Sequence, residues 1–181
     1  MPRYGSQSPA TDAAGNTATK TVTFTVRAVN MDSINAIADG VLAQILRDGM
    51  TERERLWAIY DWSVKNLRYV AYPDKSDPVA AAYYGFRNGR GDCFVYYAVT
   101  RFLLTRAGIE NLEIHRDNPE KPHFWNLVKF EGNWYHLDTC PHYAAHPLTC
   151  FLLTDAEVKA YSENHVAEYY SFDASLYPPT P

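Results

Sequence analysis

Three residues in this sequence are of the types needed for nucleophilic chemistry at a carbonyl: Cys93, His123 and Asp138. A thiolate attacks the carbonyl carbon, an imidazole keeps the thiolate charged and hands a proton to the leaving group, and a carboxylate fixes the imidazole's tautomer. Cys93 stands in Gly89-Arg-Gly-Asp-Cys-Phe-Val-Tyr-Tyr-Ala-Val-Thr-Arg-Phe-Leu-Leu-Thr-Arg-Ala-Gly108. That stretch reads as a glycine-loosened loop, an N-cap at Asp92, and a helix closed by a left-handed glycine at 108. Cys93 then falls in the first turn, where the helix dipole and unpaired N–H groups favour a thiolate. Its own backbone N–H is a natural donor to a tetrahedral oxyanion. A second donor is expected from an upstream side chain, with Tyr69, Tyr72 and Asn66 all left open. Asp92, Tyr96 and Trp125 are candidates for the substrate cleft.

The elements that must carry these residues follow from periodicity. Val95, Ala98, Val99, Phe102 and Leu103 recur at helical spacing and predict one apolar stripe on the cysteine helix. Upstream, Ile34, Ile37, Ala38, Val41, Leu42, Ile45 and Leu46 predict a helix ended at Gly49. Thr51-Glu-Arg-Glu54 is a capping box for a second helix, with Leu56, Ile59, Tyr60, Val64 and Leu67 inward. A loop over 72–78 and a short helix over 78–87 lead into the cysteine loop. Downstream, a short strand over 112–115 precedes a hairpin, His123 to Phe130 and Trp134 to Thr139. A two-residue loop, Glu131-Gly132, or a four-residue loop sets Trp125 opposite Asp138, so that His123 and Asp138 share a face as diagonal neighbours. A three-residue loop would put them on opposite faces. A strand over 150–153, a capped helix from Asp155 and a tyrosine-rich tail complete the chain.

Residues 1–28 differ from the rest. Thr-Lys-Thr-Val-Thr-Phe-Thr-Val (19–26) alternates as a strand does, and Asp-Ala-Ala-Gly-Asn (12–16) is a turn signal. A β-hairpin with arms near 4–11 and 17–28 is expected, followed by one larger domain over 29–181. An isolated hairpin is marginal in water, so docking or self-association through it is expected.

Composition narrows the function classes. The chain has 181 residues, 46% apolar and 14% aromatic, enough for a substantial core. Seventeen Lys and Arg against twenty-one Asp and Glu give a net charge of −4, and no long basic run points to nucleic acid. No apolar stretch approaches the ~20 residues of a membrane span. Three cysteines are too few for a disulfide scaffold. Cys140 and Cys150 remain either a disulfide or two reduced thiols. His136, Asp138, Cys140, His142 and His146 alternate in the manner of a zinc site, but Pro141 breaks the strand and Asp138 is claimed by His123, so no metal or cofactor is expected. Arg90-Gly91-Asp92 spells an adhesion tripeptide that loop geometry and helix capping already explain.

The motifs together resemble the transglutaminase-like superfamily, whose core is papain-like. Its cysteine motif stands here as Gly91-Asp92-Cys93, Tyr97-Ala98 and Gly108-Ile109. Its histidine motif is His123-Phe-Trp-Asn-Leu-Val128, and its aspartate motif is Gly132-Asn-Trp-Tyr-His-Leu-Asp138. The likeness covers roughly residues 31–181. Phe151-Leu-Leu-Thr-Asp155 and Leu176-Tyr-Pro178 look like the ends of such domains in Gram-positive surface proteins. Residues 10–26 resemble the last two strands of bacterial immunoglobulin-like repeats, which implies a fragment of a longer extracellular or cell-surface protein in which Met1 is not the natural start.

The resemblance implies an α+β fold, a helical half bearing the cysteine packed on an antiparallel sheet. It also implies Cys93, His123 and Asp138 as nucleophile, base and orienter. The activity expected is acyl transfer at a protein or peptide amide, as transglutaminase, protease or amidase. An inactive binding or scaffold module of a surface protein is the alternative. No acidic cluster suggests the calcium dependence of animal relatives.

Overall fold

The computed structural model describes residues 3–25 and 30–181, with side chains described for 11–18 and 30–181. The chain divides into two compact units, Met1–Asn30 and Met31–Pro181. The first is an antiparallel hairpin, β1 (Arg3–Thr11) and β2 (Thr17–Thr25), in register from Arg3↔Thr25 to Thr11↔Thr17. The Asp12 carboxylate closes its turn by accepting from the N–H groups of Ala14 and Asn16. The remainder of the expected second arm, 26–28, lies outside the described residues.

The second unit begins with α1 (Met31–Ile45) and α2 (Glu52–Asn66). The Thr51 capping box is formed in both directions, a motif worth about 1 kcal/mol. Val64 is a correction: it is 41% exposed, and Ser63 takes the inward position. Helix α3 (Pro78–Asn88) is capped by Asp77 and ended by Gly89 in the left-handed region. Helix α4 (Cys93–Arg106) is the centre of this half. The expectation of a single apolar stripe fails here, because every residue from Cys93 to Thr100 is buried. Other elements enclose its first two turns on all sides. One reason is the close approach of α3, where a Cβ on Gly85 would meet Val99 Cγ2 at 2.5 Å and Val95 Cγ1 at 2.7 Å.

Between the helices, β3 (Arg68–Tyr69) pairs in parallel with β4 (Arg90–Gly91). The main sheet has the order β5-β6-β7-β8 and is antiparallel throughout: β5 (Asn111–His115), β6 (Phe124–Phe130), β7 (Asn133–Asp138) and β8 (Cys150–Leu153). Glu131 and Gly132, at φ 49° and 84°, form the two-residue β6–β7 loop, the backbone conformation a tight hairpin demands. One sheet face meets α4, where Thr100 and Thr139 hydroxyls are hydrogen bonded at 2.9 Å and Phe94 packs on Phe124. The other face carries Ile114, Trp125 and Leu127 against α5 (Asp155–Asn164) and Tyr169 and Tyr170 of the tail. The result is a mixed α/β fold with five helices among the described residues, the cysteine helix packed on an antiparallel sheet. None of the described helices is long and apolar enough to cross a membrane.

Candidate active site

The thiol is placed by local chemistry. Asp92 Oδ1 accepts from Phe94 N–H at 3.1 Å and caps α4, which makes Cys93 its first residue. Asp92 Oδ2 takes the Lys75 ammonium at 2.5 Å, and Lys75 also donates to the Tyr72 carbonyl. The 70–77 loop is thereby fastened to the helix start. Gly91 is obligatory, because a Cβ there would lie 2.3 Å from Val95 Cβ. Backbone bonds from Arg68 N–H to Gly89 O and from Val70 N–H to Gly91 O, each 3.0 Å, run Tyr69 alongside this turn.

The imidazole and carboxylate come from the β6–β7 hairpin. With a two-residue loop, Asn126 pairs with Leu137, so His123 and Asp138 fall on one face. His123 Nε2 lies 2.8 Å from Asp138 Oδ2, with both side chains almost completely buried. Cys93 Sγ is 3.8 Å from the carbonyl of Pro122, the residue before His123, and the Cys93 and His123 side chains line one cleft and interact electrostatically. Since Nε2 is engaged by Asp138, Nδ1 is the nitrogen left for the thiol. Burial alone would lower His123, but Asp138 and Cys93 outweigh it and lift the imidazole to about 9. Burial alone would likewise raise Asp138, and the His123 charge instead holds it below the ordinary carboxylate range.

A cleft of about 450 Å³ opens onto this set, lined by Tyr69, Cys93, His123, His142, Tyr143 and Tyr169 among others. Of the second-donor candidates, only Tyr69 lines it. Its phenol is raised to about 12, by desolvation first and the neighbouring Cys93 second, and so remains a proton donor. Tyr72 packs its ring on Tyr84 and Asn66 donates to the Trp62 carbonyl, so neither reaches the cleft. The three cleft candidates are also corrected. Asp92 is a buried cap, Tyr96 is buried with its hydroxyl on the Leu67 carbonyl, and Trp125 is 1% exposed in the core against His123.

All three cysteines are free thiols. The alternating residues of β7 and its loop go to separate partners. His136 bonds Trp125 and Asp155, His142 bonds Tyr170, and the His146 ring lies on His165. Among the described residues no three His, Cys, Asp or Glu side chains converge as a metal site.

Sequence reasoning missed Tyr170, whose hydroxyl donates to Asp138 Oδ2 at 2.9 Å. The tyrosine-rich tail was visible, but nothing in its spacing selected one phenol.

The family model of the transglutaminase-like superfamily matches residues 39–139, more than half of the chain and all three residues of the set. The chain belongs to the transglutaminase-like superfamily. Among solved structures, the crystal structure of a TGase superposes over 61% of this chain and 33% of its own, with a TM-score of 0.51 and 13% identity. A candidate cysteine protease from Cytophaga hutchinsonii aligns over 67% of this chain and 41% of its own, with a TM-score of 0.48 and 18% identity. This chain therefore spans about a third and about two fifths of those proteins' lengths. No curated protein matches its sequence.

Proposed function

We propose that residues 31–181 form a cysteine acyltransferase or hydrolase acting on a peptide or glutamine side-chain amide. The observation that carries the reading is the buried His123–Asp138 pair, 2.8 Å apart, set beside a thiol at a helix N-terminus and open to a cleft. Cys93 Sγ forms a bond to the amide carbonyl carbon, and the carbonyl electron pair moves to oxygen. The Cys93 backbone N–H faces the developing oxyanion, with the Tyr69 hydroxyl as second donor. Collapse breaks the C–N bond, and ammonia or an amine leaves with the proton held by His123. Water or a second amine then gives its proton to His123 and attacks the thioester, releasing the thiolate and an acid or a new amide. Asp138 holds the imidazole throughout.

The proposed setting is extracellular or at the cell surface, within a larger bacterial protein. Support comes from the likeness of residues 10–26 to the end of an immunoglobulin-like repeat.

The test is incorporation of a primary amine into, and ammonia or peptide release from, a casein substrate by wild type and Cys93→Ala. Turnover that vanishes in Cys93→Ala is expected. Turnover equal in both proteins, or absent from wild type across a broad set of amide donors, contradicts the reading in favour of a non-catalytic module.

A further inference from the structure

Asp138 has more partners than the imidazole. Oδ1 accepts from Cys140 N–H at 2.9 Å, while Oδ2 takes both His123 Nε2–H at 2.8 Å and the Tyr170 hydroxyl at 2.9 Å. A phenol has one proton. With that proton on Asp138, the Tyr170 oxygen serves as acceptor to His142 Nε2–H, 2.5 Å away. Counting donors thus fixes a directed chain: His142 Nε2–H to Tyr170, Tyr170 O–H to Asp138, and His123 Nε2–H to Asp138, with His123 Nδ1 facing Cys93. The chain begins and ends at the cleft, since His142 and Cys93 both line it.

We propose that Tyr170, oriented by His142, is a positioning residue that fixes the Asp138 carboxylate for His123, supplied by chain beyond α5 and beyond residues 39–139 that the family model matches. This deepens the acyl-transfer reading and rests on it. Tyr170 is 3% exposed and held from several directions. Its N–H donates to Ser162 Oγ at 2.9 Å, and its ring meets Trp125 edge-on at 5.1 Å. The residue before it is clamped by Arg116, whose Nε and Nη2 donate to the Tyr169 carbonyl at 3.0 and 2.6 Å. The residue after it accepts from Asp117 N–H at 3.2 Å. A tyrosine used only for packing needs any acceptor at all. This one finds the carboxylate that orients the base. Burial and the adjacent Asp138 keep the phenol protonated well above its ordinary range, so it remains a donor. Burial pushes His142 down, which keeps it a neutral, one-proton donor.

The test uses the full chain and reads the His123 ring by NMR titration in wild type and Tyr170→Phe. The groups facing His123 are Cys93 from α4, Asp138 from β7, Cys140 and His142 from the following loop, and Tyr169 and Tyr170 from the tail, with Arg116 over Tyr169. Removing one donor concentrates the Asp138 charge on His123. We expect the His123 midpoint to rise by roughly half a unit or more and kcat to fall about tenfold with KM unchanged. An unshifted midpoint, with only thermal stability reduced, overturns the proposal. If Tyr170→Phe does not fold, His142→Leu and His142→Gln carry the same test. The glutamine can still donate to the phenol and should keep the wild-type midpoint, whereas leucine should shift it; identical midpoints in the two overturn the proposal. The NMR midpoint needs no turnover, so failure of the acyl-transfer reading and failure of the positioning role are read separately.

Discussion

Two histidine–carboxylate pairs flank Trp125 on one face of the sheet, and they behave in opposite ways. His123 and His136 each place Nε2 2.8 Å from a carboxylate oxygen, of Asp138 and Asp155 respectively. Both imidazoles are buried, and the Trp125 ring lies 5.4 Å from one and 6.2 Å from the other. Yet His123 is raised to about 9, while burial, the leading cause at His136, holds that ring below its ordinary value. Two features separate them. Asp138 is buried, whereas the Asp155 side chain is 37% exposed and its charge is screened by water. The second ring nitrogen matters as much. Trp125 Nε1 can only donate, and it does so to His136 Nδ1 at 2.9 Å, which locks that imidazole in the neutral form. His123 instead turns its second nitrogen to a thiol. A buried His–Asp pair becomes a candidate proton carrier only when its other nitrogen is free to exchange a proton.

Carboxylate removal is the most forceful way to break this comparison. Asp138→Asn should lower acyl transfer by about 10²–10⁴-fold, because the imidazole loses the acceptor that fixes its tautomer. Asp155→Ala should leave the rate within about threefold and cost about 1 kcal/mol of stability in urea unfolding. Comparable rate losses in the two variants would remove the distinction.

The pH dependence of stability sharpens it further. A folded-state value above the unfolded one means that His123 stabilises fully below its unfolded pKa of about 6.5, and that this contribution fades as pH rises to about 9. His136 has the opposite sign: its contribution is present above about 6.5 and is lost as pH falls. Asp138, held low by His123, contributes above the ordinary carboxylate range and loses that contribution in acid. Thermal unfolding midpoints should therefore lose their decline between about pH 6.5 and about pH 9 in His123→Ala. In His136→Gln the decline just below neutrality should shrink. Parallel curves for wild type and both variants would count against these assignments.

Much of this arrangement was legible in the sequence where the cause is local. Asp92, Cys93 and Gly108 announce a capped helix and its first residue, and the parity of a two-residue loop at Glu131-Gly132 puts His123 and Asp138 on one face. The direction in which a residue is buried was not legible. Asp92 and Tyr96 sit beside Cys93 in sequence, yet α4 is enclosed on all sides and both point into packing. Trp125 shares the face of His123, but the tail covers that face, so the indole is core. Val64 continues a helical stripe that the fold does not cover. Tyr170 lies thirty-two residues from Asp138 and reaches it only through tertiary packing, for which no local pattern exists.

The measurement that tests the central claim most directly is the rate of iodoacetamide alkylation at each cysteine, read by mass spectrometry in wild type, His123→Ala and His136→Gln from about pH 5 to about pH 9. Cys93 and Cys140 are equally buried and both line the cleft, so the contrast rests on charge: desolvation raises the Cys140 and Cys150 thiols, and those two should react slowly in every protein. Cys93 should outpace them in wild type, slow at least tenfold or so without His123, and keep its rate without His136. Equal Cys93 rates in wild type and His123→Ala would contradict the account, leaving the fold in place without an armed thiol.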